Sequence, residues 1–428
     1  MKVLFLHNNF PAQYRHVAAA LAADKQNQVV YGTMNKDGAL PGVTKALFKP
    51  SRGPKEETHH YIRGLESAVL HGQAVWRMGN ELKKRGFVPD IVCGHSGWGP
   101  TLYVKDVFPD TRQINLFEWY YRARGADADF LPDHKQTDDD ITRIRTRNTP
   151  ILLDLAHGDW GQVPTRFQRD QFPEIFHHKL SVLHEGIETE FFKPAPAPVP
   201  LKLAKLDLSN AREILTYSTR GQEPYRGFPQ FMRAAHQVMQ KRPDLHVVIV
   251  GNDRVAYGRQ LEKGDSWRKR MLAELKPDMS RMHFTDLLPY EDYLKVLQAG
   301  HAHVYLTVPF VLSWSLMESM ATGCLIVASR TEPVQEVIEE NVNGLLADFF
   351  DVDELAEKIV YALDNQKKLR GMREAARRTI VERYALKDLL PRHLRMIKDV
   401  AAGVIPPFEG QVAAAAAKAA QRGKAKKA

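Results

Sequence analysis

Short apolar, β-branched runs recur along the first half of the chain at "KVLFLH", "QVVYG", "DIVCGH" and "RQINLF". Between them lie stretches such as Gln13 to Ala23 and Gly64 to Arg85, where apolar positions return at helical spacing. Runs that scarcely alternate with polar residues predict strands buried on both faces, and their succession with helices predicts a parallel sheet. The pattern restarts at "EILTYS", "LHVVIVG", "RMHF", "HAHVYLTV" and "CLIVAS". The expected fold is therefore α/β, with two Rossmann-like doubly wound domains in tandem, their strand ends facing a central cleft.

Between the two series lies "KPAPAPVPLK", Lys193 to Lys202, whose alternating prolines favour extended polyproline geometry and predict a connector. That sets an N-terminal domain over 1–195 and a C-terminal domain over 196–382. "ERYALKDLLPRHLRMIKDV" predicts a helical segment over 383–410, expected to cross back to the first domain and to end or kink at Pro391. Residues 411–428 form an Ala/Lys tail too poor in large apolar groups to pack, and are expected to be disordered.

Composition narrows the classes. The 428 residues exceed one ordinary domain, and 44% hydrophobic with 26% charged residues indicates a globular chain. No apolar run approaches the ~20 residues a membrane span needs. The N-terminus opens as a strand without a leader-like apolar segment, so a cytoplasmic location is expected. The formal net charge is +9, but Lys418, Arg422, Lys424, Lys426 and Lys427 of the tail account for much of it. The body is only mildly basic, which argues against specific nucleic-acid binding and leaves peripheral contact with the inner face of a membrane open. Cys93 and Cys324 stand in strand-like contexts and are expected to be buried, reduced thiols.

Candidate chemistry begins with one carboxylate, Glu318, in the apolar run "VPFVLSWSLMESMATGCLIVAS". Ser315-Leu316-Met317-Glu318 has capping-box spacing; alternatively, Glu318 accepts ligand hydroxyls near a helix start. "TRGQEPYRGF" places Arg220 and Arg226 beside Gly221 and Gly227 between a predicted strand and helix, which suits a pyrophosphate as well as an ordinary surface loop. Neither first-strand loop carries the G-x-G-x-x-G of dehydrogenases. His95 in "CGHSGWG", with Asn8, Asn9 and Gln13 after the first strand, should border the cleft. Tyr61, Arg63, His71 and Arg77 mark either an acceptor face or an exposed helix. Asp127-Ala128-Asp129 could suggest a metal-binding D-x-D, but it lacks a β-rich context, lies near the acidic run Asp138 to Asp140 and reads as solvated loop. "HSGWG" is not a nucleophile elbow, and the paired histidines at 59–60 and 177–178 lack zinc-site spacing.

Taken together, "HVYLTVPFVLSWSLMESMATGCLIVAS" with the following "PVQEVIEENVNGLLADFFDVDELAEKI", "HEGIETEFFKP" and "STRGQEPYRGF" resembles the family-4 retaining glycosyltransferases of GT-B architecture. The resemblance covers nearly the whole chain and is weakest before residue 150. It implies transfer of a sugar, with retained configuration, from a nucleoside diphosphate sugar to the hydroxyl of a carbohydrate or lipid-linked acceptor, in glycan, polysaccharide or glycolipid biosynthesis. It implies no cofactor beyond that co-substrate and no metal. Glu318 matches the second glutamate of the family's E-x7-E motif, which accepts ribose hydroxyls, and the amides of Leu312 and Ser313, with Ser315, would face the donor sugar. Phe310 occupies the position of the first glutamate. Arg220 and Arg226 match the pyrophosphate cations, and Glu118 in "NLFEWYYR" replaces a strand-end histidine. Arg220, Arg226, Glu118 and His95 are thus the catalytic candidates, and Asn9, Gln13, Tyr61 and Arg63 the acceptor-side ones. The competing readings are a GT-B-fold epimerase or phosphorylase and a non-catalytic sugar-nucleotide binder.

Overall fold

The computed structural model describes residues 1–133, 135–196 and 199–406, so the expectation for the 411–428 tail lies outside the described residues. The chain forms two compact units. Of the described residues, one holds those within 1–124, 136–185 and 387–406; the other holds those within 125–135 and 186–386.

In the first unit, strands β1 (Lys2–Leu6), β2 (Gln28–Thr33), β3 (Val43–Leu47), β4 (Ile91–His95), β5 (Arg112–Leu116), β6 (Trp160–Val163) and β7 (Leu180–Val182) form a sheet ordered β3-β2-β1-β4-β5-β6-β7. All pairs are parallel, with Val3 opposite Val29 on one side and Ile91 on the other. Successive side chains of β1 face opposite ways. Val3 and Phe5 enter a core with Leu389, Met396, Ile397 and Val400 of the helix Leu386–Ala401. Leu4 and Leu6 enter another with Ala74, Val75 and Met78 of the helix Arg63–Lys84. Both faces are covered, which is why the strand shows no alternation.

The returning helix runs on through Pro391, against the expectation of a break there. The proline gives up one backbone bond near the helix start. Burial of each large side chain beyond it contributes about 1.5–3 kcal/mol, which outweighs that loss.

In the second unit, β8 (Leu201–Leu203) and β9 (Leu206–Leu208) form a small antiparallel pair. Strands β10 (Glu213–Gly221), β11 (Leu245–Asn252), β12 (Met282–Asp286), β13 (Ala302–Tyr305), β14 (Ile326–Ser329) and β15 (Leu345–Ala347) form a parallel sheet ordered β12-β11-β10-β13-β14-β15. In the helix Phe228–Lys241 the buried residues Phe228, Phe231, Met232, Ala235, Val238 and Met239 share one face at helical spacing.

The structure divides the chain elsewhere than 195 and 382. The described ends of the proline-rich segment lie within the second unit: a Cβ on Gly323 would lie 3.0 Å from Pro194, and Leu201 begins β8. The outgoing and returning chains pair instead at Ile187, whose amide donates to Tyr384 O at 2.8 Å and whose carbonyl accepts from Leu386 N at 2.8 Å. Gly186 there has φ +93°, and a Cβ would meet Leu386 Cα at 2.8 Å, so a side chain is excluded both by conformation and by space.

Residues 125–135 also depart from expectation. Asp127 is not solvated but only 7% exposed. The segment packs on the second unit, with the Phe130 ring centroid 5.2 Å from Phe349 and 5.0 Å from Phe350. The acidic run Asp138 to Asp140 opens the helix Asp138–Arg147, capped reciprocally by Thr137 and Asp140, where negative charge meets the positive helix end. Cys93 and Cys324 are buried free thiols. Among the described residues no helix is long and apolar enough to cross a membrane.

Candidate functional site

Both sheets reverse strand order beside their first strand, between β1 and β4 and between β10 and β13. Ligands of doubly wound folds bind at the carboxyl ends of strands at such points.

In the first unit, His7 follows β1, His95 ends β4 and Glu118 follows β5. His7 Nδ1 accepts the Asn9 amide at 2.8 Å, which places a neutral ring's proton on Nε2. Burial, and next the adjacent His95, lower its pKa to about 3. The His7 and His95 rings meet edge to face at 5.0 Å, with Trp98 5.2 Å from His95. His95 Nδ1 donates to the Ser96 carbonyl at 2.9 Å, leaving Nε2 to face Glu118 Oε2 at 3.6 Å. Burial opposes ionisation of Glu118, but the proximity of His95 and the 3.2 Å bond from Gln13 hold its carboxyl below the usual range. Gln168 fixes the strand end by donating to the Glu118 carbonyl at 2.7 Å. Beside His95 and Glu118 lies a cavity of about 150 Å³.

Asp154 holds the loop carrying His95. It accepts the Ser96 and Thr101 hydroxyls, each at 2.7 Å, and burial raises its pKa to about 6. Gln13 thus joins the His95–Glu118 group, and exposed Asn9 orients His7. Tyr61 and Arg63 are committed locally: Tyr61 Oη donates to Asp139 at 2.9 Å, and Arg63 to the Thr58 and Glu56 carbonyls.

In the second unit, the two arginines differ in setting. Arg220 is exposed at the end of β10. Arg226 is 4% exposed, and its Nη1 donates to Tyr305 Oη (3.1 Å), Thr307 Oγ1 (2.8 Å) and Val311 O (3.0 Å). It braces the loop after β13, which the charge-based reading could not distinguish from an open phosphate contact. Gly227 follows at φ +62°, where a Cβ would lie 2.5 Å from Leu306; glycine alone admits this approach of the β10 loop to β13.

Neighbouring Glu223 accepts the amides of Ala256 (2.8 Å), Tyr257 (3.0 Å) and Gly258 (2.7 Å), and burial raises its pKa above the ordinary carboxyl value despite them. This anchors the Tyr257 ring 5.1 Å from the Arg226 guanidinium and 5.2 Å from Phe310.

The helix Trp314–Ala321 is capped by Ser313, whose Oγ accepts from Ser315 N at 3.3 Å. The capping box at Ser315 and Glu318 is therefore corrected: the helix starts two residues earlier, and Glu318 falls in its second turn. Glu318 is 7% exposed, and after burial its charge is the next cause that pushes the Tyr293 hydroxyl upward. The Ser313 amide, expected to face a sugar, donates to Tyr305 Oη at 2.9 Å. Leu312 and Phe310 are buried in the same loop. Sequence reasoning missed His7, Asp154, Glu223, Tyr225 and Tyr257. Only His7 carried a signal, its place directly after a strand.

Two family models match in tandem: the glycosyl transferase family 4 group over residues 25–192 and the glycosyl transferases group 1 over residues 202–379. The chain belongs to the group 1 glycosyltransferases. It is 22% identical over 238 residues to the uncharacterized glycosyltransferase YqgM of Bacillus subtilis, covering 56% of this chain and 60% of that one. It is 23% identical over 211 residues to a GDP-mannose-dependent monoacylated alpha-(1-6)-phosphatidylinositol monomannoside mannosyltransferase of Corynebacterium glutamicum, covering 47% of this chain. The match spans 51% of that relative, about half its length. The solved structure of Anabaena HepE in complex with UDP-glucose matches with a TM-score of 0.67 at 15% identity, over 93% of this chain and 100% of that one. The shared fold is GT-B.

Proposed function

We propose that this protein transfers a sugar from a nucleoside diphosphate sugar to an acceptor hydroxyl with retained anomeric configuration. One observation carries the reading: Arg220 stands exposed and, among the described residues, without an acidic partner at the carboxyl end of β10, at the strand-order switch and on the loop that leads to the glycine turn opening the helix Phe228–Lys241. That geometry suits a diphosphate, which needs cation and helix-start amides as charge grows on the leaving group. UDP-glucose in HepE and the GDP-mannose dependence of the Corynebacterium relative support the same ligand class.

In this reading Arg220 neutralises the departing diphosphate, Arg226 holds the loop that positions it, and Glu318 accepts the ribose hydroxyls. His95 and Glu118 sit among the acceptor-side residues. Glu118 faces His95 Nε2 at 3.6 Å. The acceptor proton passes to the departing phosphate on the same face, without a metal. Acceptor class, a role in polysaccharide or glycolipid synthesis, and peripheral contact with the cytoplasmic membrane face follow as the same proposal. Incubation with UDP- and GDP-sugars and an acceptor panel, with product NMR, tests it. The expected product is a glycoside retaining the donor's configuration, formed in EDTA. Sugar isomerisation or phosphate-dependent cleavage without acceptor would favour the epimerase or phosphorylase alternative, and binding without turnover a sugar-nucleotide binder.

A further inference from the structure

The carboxylate of Asp127 stands in an unexpected place. Its chain segment lies between the first unit's β5 and the helix Asp138–Arg147, yet it packs as part of the second unit. There Tyr225 Oη donates to Asp127 Oδ2 at 3.0 Å. Tyr225 belongs to the β10 loop that carries Arg226 and Gly227, and its carbonyl accepts from Val308 N at 3.1 Å, which ties it to the loop after β13. Its ring meets Phe310 edge to face at 5.6 Å, and Tyr257 covers Phe310 from 5.2 Å. Tyr225, Arg226 and Phe310, on the two loops flanking the strand-order switch, therefore gather with Tyr257 of the loop after β11 and with the Asp127 carboxylate of the 125–135 segment.

That combination suits a hexose. Its C–H faces pack against rings, and its hydroxyls donate to carboxylate oxygens, of which a carboxylate offers about four acceptor sites. The Tyr225 bond fixes the orientation of the group. A brace for the 125–135 segment would not require a charge beside the phosphate loop, since Phe130 already packs that segment on Phe349 and Phe350. We infer that Asp127 reads the donor sugar: it accepts a hydrogen bond from a hydroxyl of the transferred hexose and so sets selectivity among donors. The inference rests on the proposed sugar transfer and adds the residue that discriminates the sugar.

Asp127→Asn keeps the shape and an acceptor for Tyr225 while removing the charge, and Tyr225→Phe keeps the charge while releasing its orientation. For each, kcat/KM is measured with two donors sharing a nucleotide and differing at one ring carbon, UDP-glucose with UDP-galactose and GDP-mannose with GDP-glucose. Calorimetry with free UDP and GDP runs alongside. The expected result for Asp127→Asn is a change of about tenfold or more in the ratio between paired donors, with nucleotide affinity and melting temperature kept. Tyr225→Phe should shift the ratio in the same direction by less. A common loss for all donors, tracking a lower melting temperature, would make Asp127 a brace and overturn the assignment, as would an unchanged ratio. If wild-type protein binds no sugar nucleotide, the transfer reading itself fails; wild-type turnover with an indifferent Asp127→Asn overturns this inference alone.

Discussion

His95 Nε2 lies 3.6 Å from Glu118 Oε2, at the ends of two adjacent parallel strands. The other ring nitrogen of His95 is held by the Ser96 carbonyl and the carboxylate by Gln13, so both groups are oriented before any ligand arrives. Groups arranged in this way act as a unit. His95→Ala and Glu118→Gln should each lower turnover by about 10²-fold, and the double variant by little more, because coupled neighbours do not add. Steady-state kinetics of the three variants provides the check, and multiplicative losses would show that the pair is uncoupled.

The two arginines should separate by phenotype. Arg220→Ala should cut turnover while leaving the urea midpoint unchanged. Arg226→Ala strips a guanidinium from the buried Tyr305 and Thr307 hydroxyls and the part-buried Val311 carbonyl and should cost roughly 2–4 kcal/mol of stability as well as activity. Equal midpoints for both variants would contradict the bracing role.

Glu318→Gln should weaken binding of the free nucleotide as much as of the sugar nucleotide. Loss of charged hydrogen bonds to a ribose costs roughly 1.5–3 kcal/mol, about 10- to 150-fold. Calorimetry on the folded variant decides, and unaltered affinity would leave Glu318 as a buried structural group.

Stability should fall with acidification near neutrality. Burial lowers the imidazole pKa of His184 and His303 to about 3 and of His393 to about 4, below the unfolded value of roughly 6.5. Between those limits the unfolded chain binds protons that the folded chain excludes. The stabilisation is complete above about pH 6.5 and is lost as pH falls, at up to ~1.4 kcal/mol per pH unit for each histidine. Asp154, raised to about 6, takes up its proton in the folded state first and offsets part of the loss. Urea midpoints from pH 7.5 to 5 should therefore decline, and His393→Gln should flatten the decline; a flat wild-type profile would contradict these burials.

The local pattern determined the strands of both sheets that are long and apolar, from "KVLFLH" to "CLIVAS", because a strand buried on both faces must be apolar throughout whatever its partners are. It did not show β6, "WGQV", whose Gly and Gln are polar or small yet buried, since such a strand is recruited by its neighbours in the sheet. Residue types also marked Arg220, Arg226, His95, Glu118 and Glu318 as chemistry, but not their settings. Whether an arginine stands open like Arg220 or is folded onto three acceptors like Arg226 depends on strands far apart in the chain. Pro391 misled because packing of the surrounding apolar face exceeds a local backbone preference. Asp127 is the clearest case. Its neighbours in sequence are those of a solvated loop, and only the tertiary structure brings the Tyr225 hydroxyl and the aromatic surface that make its burial tolerable, because the cost of burying a charge is decided by partners that local sequence does not contain.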